Sequence, residues 1–356
     1  MITYPALYID TEKIRHNTRV VASMLGRQGM RLVGVAKVVN GLAAVVRAMV
    51  EGGAAAIGDS RIETLRRIRE SGYTGETVLL RAPSPSRVGE AVQVADVSLN
   101  SDPVTVRLLG DAALRLGRRH RVVLMVDLGD LREGVLAERV VGVATQIAQA
   151  PGVELAGIGT NMACYGGVIP TRDKMETLLE VKDNVEHALG RPLQCVSGGN
   201  SANMPLVLRG EMPRGVTELR IGESVLLGTE AVERTAVPGC HLDVFRVAAE
   251  VIEVQEKPSV PFGRVGQNAF GVVPTFEDRG WRRRAILAIG RQDVDPDSLR
   301  PLDSGVIILG ASSDHLICDV EDCERDVKTG DVLTFVPGYS ALLRAATSPF
   351  VQKVVQ

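Results

Sequence analysis

Between residues 30 and 225, short apolar runs rich in β-branched residues alternate with longer stretches in which apolar side chains recur at three and four positions. The first pattern suits strands buried on both faces, and the second suits helices packed along one side, so the alternation predicts parallel strand–helix–strand units. Eight strands are expected, at 32–38, 54–57, 77–80, 96–99, 120–126, 153–160, 193–196 and 218–221, with helices between them such as 62–70, 103–116 and 136–150. The eight units, and the lack of a GxGxxG after the first strand, favour a closed (β/α)8 TIM-like barrel over an open doubly wound sheet. Beyond about residue 240 the pattern changes to runs at 245–254, 284–289, 306–309, 316–320 and 332–336, separated by Gly, Pro and Asp, which predict a C-terminal all-β domain. The junction is expected near Val237-Pro238-Gly239, giving domains 1–238 and 239–356. Within residues 1–12, a strand at 7–10 is expected to pair back onto the β-domain.

Composition narrows the function classes. The 356 residues exceed a usual single domain, which agrees with a large and a small unit. The net charge of −2 is spread among interspersed residues, leaving no basic stripe for a phosphate backbone, so nucleic acid is not an expected partner. No basic-then-apolar leader opens the sequence and no apolar run is long enough to span a bilayer, so no membrane partner and a cytoplasmic location are expected. The five cysteines (Cys164, Cys195, Cys240, Cys318, Cys323) form no CxxC or Cys/His cluster, and neither disulfides nor a metal site is expected.

In a barrel of this kind functional residues gather just after the C-terminal ends of the strands. Lys37 closes the first predicted strand in Val33-Gly34-Val35-Ala36-Lys37. There, desolvation favours the neutral amine that Schiff-base chemistry requires. The plainer alternative is a lysine snorkelling from a strand end. Ser197-Gly198-Gly199-Asn200-Ser201 follows the seventh strand, and its small residues, amides and hydroxyls before a helix suit a phosphate. A tight turn with Asn200 or Ser201 as the cap is the alternative. Gly222 sits after strand eight, where barrels complete such phosphate sites. Arg220 stands near the end of that strand. Facing a pyridine nitrogen, it would keep the nitrogen unprotonated and weaken the ring as an electron sink; an ordinary barrel ion pair is the alternative.

The ordered motifs GDSRI, VDLGDLREG, CYGGVIP, VSGGNS, LRIGES, AILAIGRQD, LGASSDHLI and GYSALL span nearly the whole chain. Together they resemble those of the fold-type III pyridoxal-phosphate enzymes, the alanine racemase-like group, and within it are similar to the bacterial ornithine racemases. The resemblance implies an isomerase that uses pyridoxal 5'-phosphate to racemise a small basic amino acid, ornithine in particular. It also implies a homodimer in which the β-domain of one subunit completes the site of its partner. Lys37 would form the Schiff base. Ser201, the backbone at Gly222 and Tyr339 would hold the phosphate, with Asn161 and Asn200 beside the cofactor. Arg220 would face the pyridine nitrogen, and Arg132 would take the substrate carboxylate.

The sequence departs from alanine racemases at Met125, where many carry a carbamylated lysine, at Asn161 in place of a histidine, and at Phe270 in place of the tyrosine that acts as second base. A racemase moves a proton on both faces of its substrate, so a second acid–base group is needed beside Lys37. His315, Cys164 and Ser313 are candidates, with Tyr165 more remote. His315 is preferred because an imidazole titrates nearest neutrality, although it could simply pack at a subunit interface. Asp314, beside Ser313, resembles the carboxylate that receives the distal ammonium in ornithine decarboxylases, and its alternative is a turn cap. Asp127 and Asp130 are weaker candidates for the same task. Competing activities are an alanine or lysine racemase, a basic amino-acid decarboxylase of the same fold type, and a non-catalytic pyridoxal-phosphate-binding protein. Arg220 opposes the decarboxylase, which usually presents a carboxylate to the ring nitrogen, and residues 240–356 oppose the binding protein, which lacks a β-domain.

Overall fold

In chain order the strands are β1 (Ala6–Ile9), β2 (Arg31–Val35), β3 (Ala56–Asp59), β4 (Glu76–Leu79), β5 (Val97–Asn100), β6 (His120–Asp127), β7 (Val135–Leu136), β8 (Val153–Thr160), β9 (Cys195–Ser197) and β10 (Glu218–Ile221). They continue with β11 (Phe245–Pro258), β12 (Trp281–Leu287), β13 (Leu299–Pro301), β14 (Ile307–Ala311), β15 (Leu316–Asp319), β16 (Val332–Pro337) and β17 (Gln352–Val355). The computed structural model describes residues 2–356. It divides into two units, Thr11–Leu242 and residues 2–10 with Asp243–Gln356.

In the first unit β2, β3, β4, β5, β6, β8, β9 and β10 run parallel, each paired with the next, and β10 returns to β2 to close an eight-stranded barrel. The inward side chains Val33, Ala56, Val78, Val97, Leu99, Val123 and Met125 make one buried cluster, so the interior is packed rather than open. The surrounding helices carry recognisable ends. Asp102 accepts the N–H groups of Val104 (3.1 Å) and Thr105 (3.4 Å) ahead of Pro103–Arg115, and Thr171 caps Arg172–Leu189, which stops at left-handed Gly190. Gly157 marks the closest approach of β8 to β9, since a Cβ there would come 2.1 Å from the Cys195 carbonyl oxygen.

Three details differ from the sequence expectation. β2 ends at Val35 instead of reaching residue 38, because Lys37–Val39 turns into a 3₁₀ helix whose bonds run from Val39 and Gly41 back to the Ala36 carbonyl at 3.2 and 3.1 Å. The expected helix 136–150 is split into a 3₁₀ turn, Ala137–Arg139, and the helix Val140–Ala148. The helix Thr11–Gly26 was not anticipated; it buries Asn17 and Thr18 beside Ile14, Val21 and Leu25, which blurs its apolar stripe.

In the second unit β1 is antiparallel to β11 (Ala6 opposite Ala248) and parallel to β17 (Ala6 opposite Gln352). The long β11 pairs with β16 over its first half and with β12 over its second, and β15 and β14 extend from β12. Phe245 and Phe335 are the largest of its fully buried side chains. The division after Leu242 lies four residues beyond the expected junction, and residues 2–10 group with the β-sheet. Among the described residues no helix is long and apolar enough to cross a membrane.

Candidate active site

Lys37 opens the turn after β2, two residues past the strand instead of at its last position, and its side chain is exposed. Asp59 ends the neighbouring β3, 1% exposed. Its Oδ1 accepts the Arg61 N–H at 2.9 Å, while Oδ2 is buried with no hydrogen-bond partner. Burial pushes the Asp59 carboxyl up to about 6, against the backbone N–H groups of Arg61 and Ser60 and the charges of Lys37 and Arg67. A strand-end carboxylate in GDSRI was the available signal for it, and sequence reasoning passed over it.

Arg220 projects from β10 and is 4% exposed. It donates to the Thr160 carbonyl at 2.7 Å, to Asn161 Oδ1 at 3.4 Å and to Ser197 Oγ. Burial lowers the guanidinium pKa, and the nearby Glu218 carboxylate opposes that shift. Three of the five N–H groups of the guanidinium are thereby occupied, leaving two for another acceptor.

Asn161, Cys164 and Asn200 form a hydrogen-bonded cluster with Arg220. Asn161 Nδ2 donates to Cys164 Sγ at 2.8 Å, and Asn200 Nδ2 reaches Asn161 Oδ1 and Cys164 Sγ at 3.3 Å each. Asn200 Oδ1 also accepts the Ala202 N–H at 2.8 Å. The chain beyond Asn200 forms a 3₁₀ turn, Ser201–Asn203, and the short helix Met204–Arg209. Ser201 Oγ accepts the Ser224 N–H at 3.3 Å just past Gly222, and Ser224 Oγ is buried without a partner. An anion accepting from both hydroxyls would satisfy this pocket.

The loop carrying Cys164 is fastened by Asp130, which is 1% exposed and accepts the N–H groups of Tyr165 (3.0 Å), Val168 (3.3 Å) and Cys164 (3.4 Å). Burial alone would raise the Asp130 carboxyl pKa; the backbone N–H groups outweigh it and hold the value below the ordinary one. Asp127 Oδ1 is likewise occupied by the N–H groups of Gly129 and Leu131. Asp127 therefore shapes its own loop, and Asp130 fastens the neighbouring 164–168 loop. Arg132 is exposed and paired with Glu133, with one contact at 2.5 Å. Met125 is a buried member of the barrel core and does not reach this pair as a charged partner.

In the second unit Ser313, Asp314 and His315 occupy the exposed turn between β14 and β15. Asp314 Oδ1 lies 2.9 Å from His315 Nδ1 and accepts from Ser313 (3.1 Å) and Ser312 (3.3 Å). The two residues weighed separately in the sequence thus form one acid–imidazole pair. The Ser313 and His315 hydrogen bonds hold the Asp314 carboxyl below its ordinary pKa. Tyr339 begins the helix Tyr339–Thr347, and Phe270 lies 5.4 Å beneath the Arg291 guanidinium.

Residues 9–230 match the family model for the alanine racemase N-terminal domain. The chain is 42% identical to lysine racemase of Thermotoga maritima, covering 100% of this chain and 99% of that protein. It is 41% identical to ornithine racemase of Acetoanaerobium sticklandii, over 98% and 99%. Among solved structures, alanine racemase of Clostridium difficile superposes with a TM-score of 0.77 at 17% identity, over 100% of this chain and 97% of that one. At that identity the superposition speaks to the fold alone. With more than half its length matched by the family model and two full-length relatives above 40% identity, the chain belongs to the alanine racemase family.

Proposed function

We propose that this protein is an amino-acid racemase that interconverts L- and D-ornithine, or a similar basic amino acid, with pyridoxal 5'-phosphate as its cofactor. The observation that carries the reading is Arg220, a buried arginine held on three sides at the end of a barrel strand with two N–H groups to spare. Full-length similarity to proteins named lysine racemase and ornithine racemase supports the choice of substrate class.

Pyridoxal phosphate supplies a carbonyl that combines with amines and a ring that withdraws electrons from the substrate α-carbon. Lys37 would hold the cofactor through its amine, and the same amine would be the acid–base group for the α-proton on one face. Ser201, the Gly222 backbone and Tyr339 hold the phosphate; the unpartnered Ser224 hydroxyl fits the same task. Arg220, with N–H groups left over, would donate one to the ring nitrogen of the bound cofactor and so disfavour a proton there, which would suit a racemase rather than a decarboxylase. Asn161 and Asn200 line the ring, and Arg132 receives the substrate carboxylate on leaving Glu133. His315, oriented by Asp314 through Nδ1, keeps Nε2 for the proton on the second face; Cys164 is the barrel's own candidate for that step. Asp314 Oδ2 receives the distal ammonium, with Ser313 beside it. In a homodimer, the β-unit of one copy supplies these groups to the barrel of the other.

The test is incubation of the purified, cofactor-loaded protein with L-ornithine, L-lysine, L-arginine and L-alanine, followed by chiral chromatography with amine and carbon dioxide release monitored in parallel. The expected result is D-ornithine or D-lysine without carbon dioxide. Putrescine or cadaverine would replace this reading with a decarboxylase, and conversion of alanine alone would remove the basic side chain from it.

A further inference from the structure

Glu218, Ser197 and Arg220 form a chain of contacts whose proton positions are set by the donor chemistry. A guanidinium can only donate, so Ser197 Oγ turns a lone pair toward Arg220, and its single hydrogen goes to Glu218 Oε1 at 2.7 Å. The other Glu218 oxygen accepts from Arg31 Nε at 2.9 Å and Nη2 at 2.7 Å. Arg31 also meets Glu76 at 2.9 Å, and Glu76 meets Arg121 at 2.8 Å. Arg31, Glu76 and Glu218 are the first residues of β2, β4 and β10, and Arg121 is the second of β6, so the network starts at the end of the barrel opposite Lys37. Register places Glu218 beside both Arg31 and Ser197. Because β10 has only four residues, two pleat positions, roughly 7 Å, separate the barrel floor from Arg220.

We propose that Glu218 and Ser197 are positioning residues that fix the Arg220 guanidinium for the cofactor ring, and that Arg31 ties this relay to the barrel floor. The proposal rests on the reading that Arg220 meets the ring nitrogen. Glu218 is 3% exposed and Ser197 fully buried, so water does not substitute for either link. The other titratable or charged groups that act on the pair are Arg31 and Cys195 near Glu218, and Cys195, Glu133 and Cys164 near Arg220. None of these bridges Ser197 to the guanidinium. Removing the Glu218 charge leaves the site more positive, so a proton on the bound cofactor is lost more easily.

The experiment is a pH titration of the visible absorbance of bound pyridoxal phosphate in the wild type and in Glu218→Gln, Ser197→Ala, Ser197→Thr, Arg31→Met and Arg220→Lys. Glu218→Gln is expected to lower the midpoint by about one pH unit, and Arg31→Met to move it by less. Ser197→Ala should weaken cofactor affinity about tenfold, with Ser197→Thr restoring it. Should Glu218→Gln not fold, Ser197→Ala and the half-exposed Arg31→Met carry the test. Titrations and affinities that coincide with the wild type in these variants, while Arg220→Lys shifts, overturn the relay. An unshifted Arg220→Lys overturns the placement of Arg220 itself.

Discussion

Replacing Asp130 with Asn tests whether this residue holds a loop or reads a substrate. The carboxylate accepts three N–H groups from the 164–168 segment at 3.0, 3.3 and 3.4 Å, and a Cβ at Gly166 would come 2.6 Å from the Asp130 carbonyl oxygen, so the loop lies flat against it. Asn presents an NH₂ where an oxygen faced N–H donors, and loses the charge. Bonds to an ionised acceptor are worth about 1.5–3 kcal/mol each. Two of the three are long, and water can reach the exposed side of the loop, so we expect a net loss of about 2–3 kcal/mol. For a unit of this size that corresponds to a fall in melting temperature of about 4–12 °C. The loop carries Cys164, whose Sγ receives the Asn161 and Asn200 amides. Its alkylation by iodoacetamide should therefore accelerate several-fold in the variant. The assay is thermal unfolding by circular dichroism together with the alkylation rate at pH 7. A melting temperature within 1 °C of wild type and an unchanged alkylation rate, whatever happens to ornithine turnover, would refute the clamp.

Lys37→Ala is expected to abolish covalent attachment of pyridoxal phosphate: borohydride reduction followed by mass spectrometry should find the mass increment on wild-type Lys37 and on no residue of the variant. Asp314→Asn should reduce kcat/KM for ornithine by about 10- to 100-fold and leave alanine, if used, within a factor of about two, because a distal ammonium loses its counter-charge; equal losses for both would remove Asp314 from side-chain recognition. His120, 2% exposed and 2.7 Å from Ser98 Oγ, has its pKa lowered to about 4 by burial. Its contribution of about 3 kcal/mol is complete above the unfolded value near 6.5 and is lost as pH falls through about 4. His120→Gln should flatten the decline of the urea midpoint between pH 7 and pH 4, and an undiminished slope would assign it to other groups.

The barrel was legible because each strand is a short apolar run bounded by turn residues, and 153–160 and 218–221 coincide with β8 and β10. The end of β2 was not, because Val38 and Val39 are buried and β-branched although they lie in a 3₁₀ turn; burial and strand geometry give the same letters there. The Asn161, Asn200, Ser201 and Arg220 neighbourhood could be anticipated from strand ends. Its supporting residues were harder to read. Glu218 has the two-residue spacing from Arg220 that puts both on one strand face, a usable signal, whereas Ser197 belongs to the network only because β9 and β10 are adjacent. Asp127 and Asp130, the weaker candidates for a substrate ammonium, accept backbone N–H groups that the sequence does not reveal.

The placement of β1 bears on the order in which the chain can assemble. Its four residues are made before either of its neighbours, and Ala6 has no strand partner until Ala248 and then Gln352 have been made. At roughly 5–20 residues per second that is a delay of tens of seconds. During that interval the eight barrel strands, whose pairing partners all lie between β2 and β10, can complete their ring while the apolar edge of β1 waits as an open template. The barrel is in effect an insertion between one strand and its sheet, so biogenesis of the smaller unit depends on β17 having been made in a way that biogenesis of the larger does not.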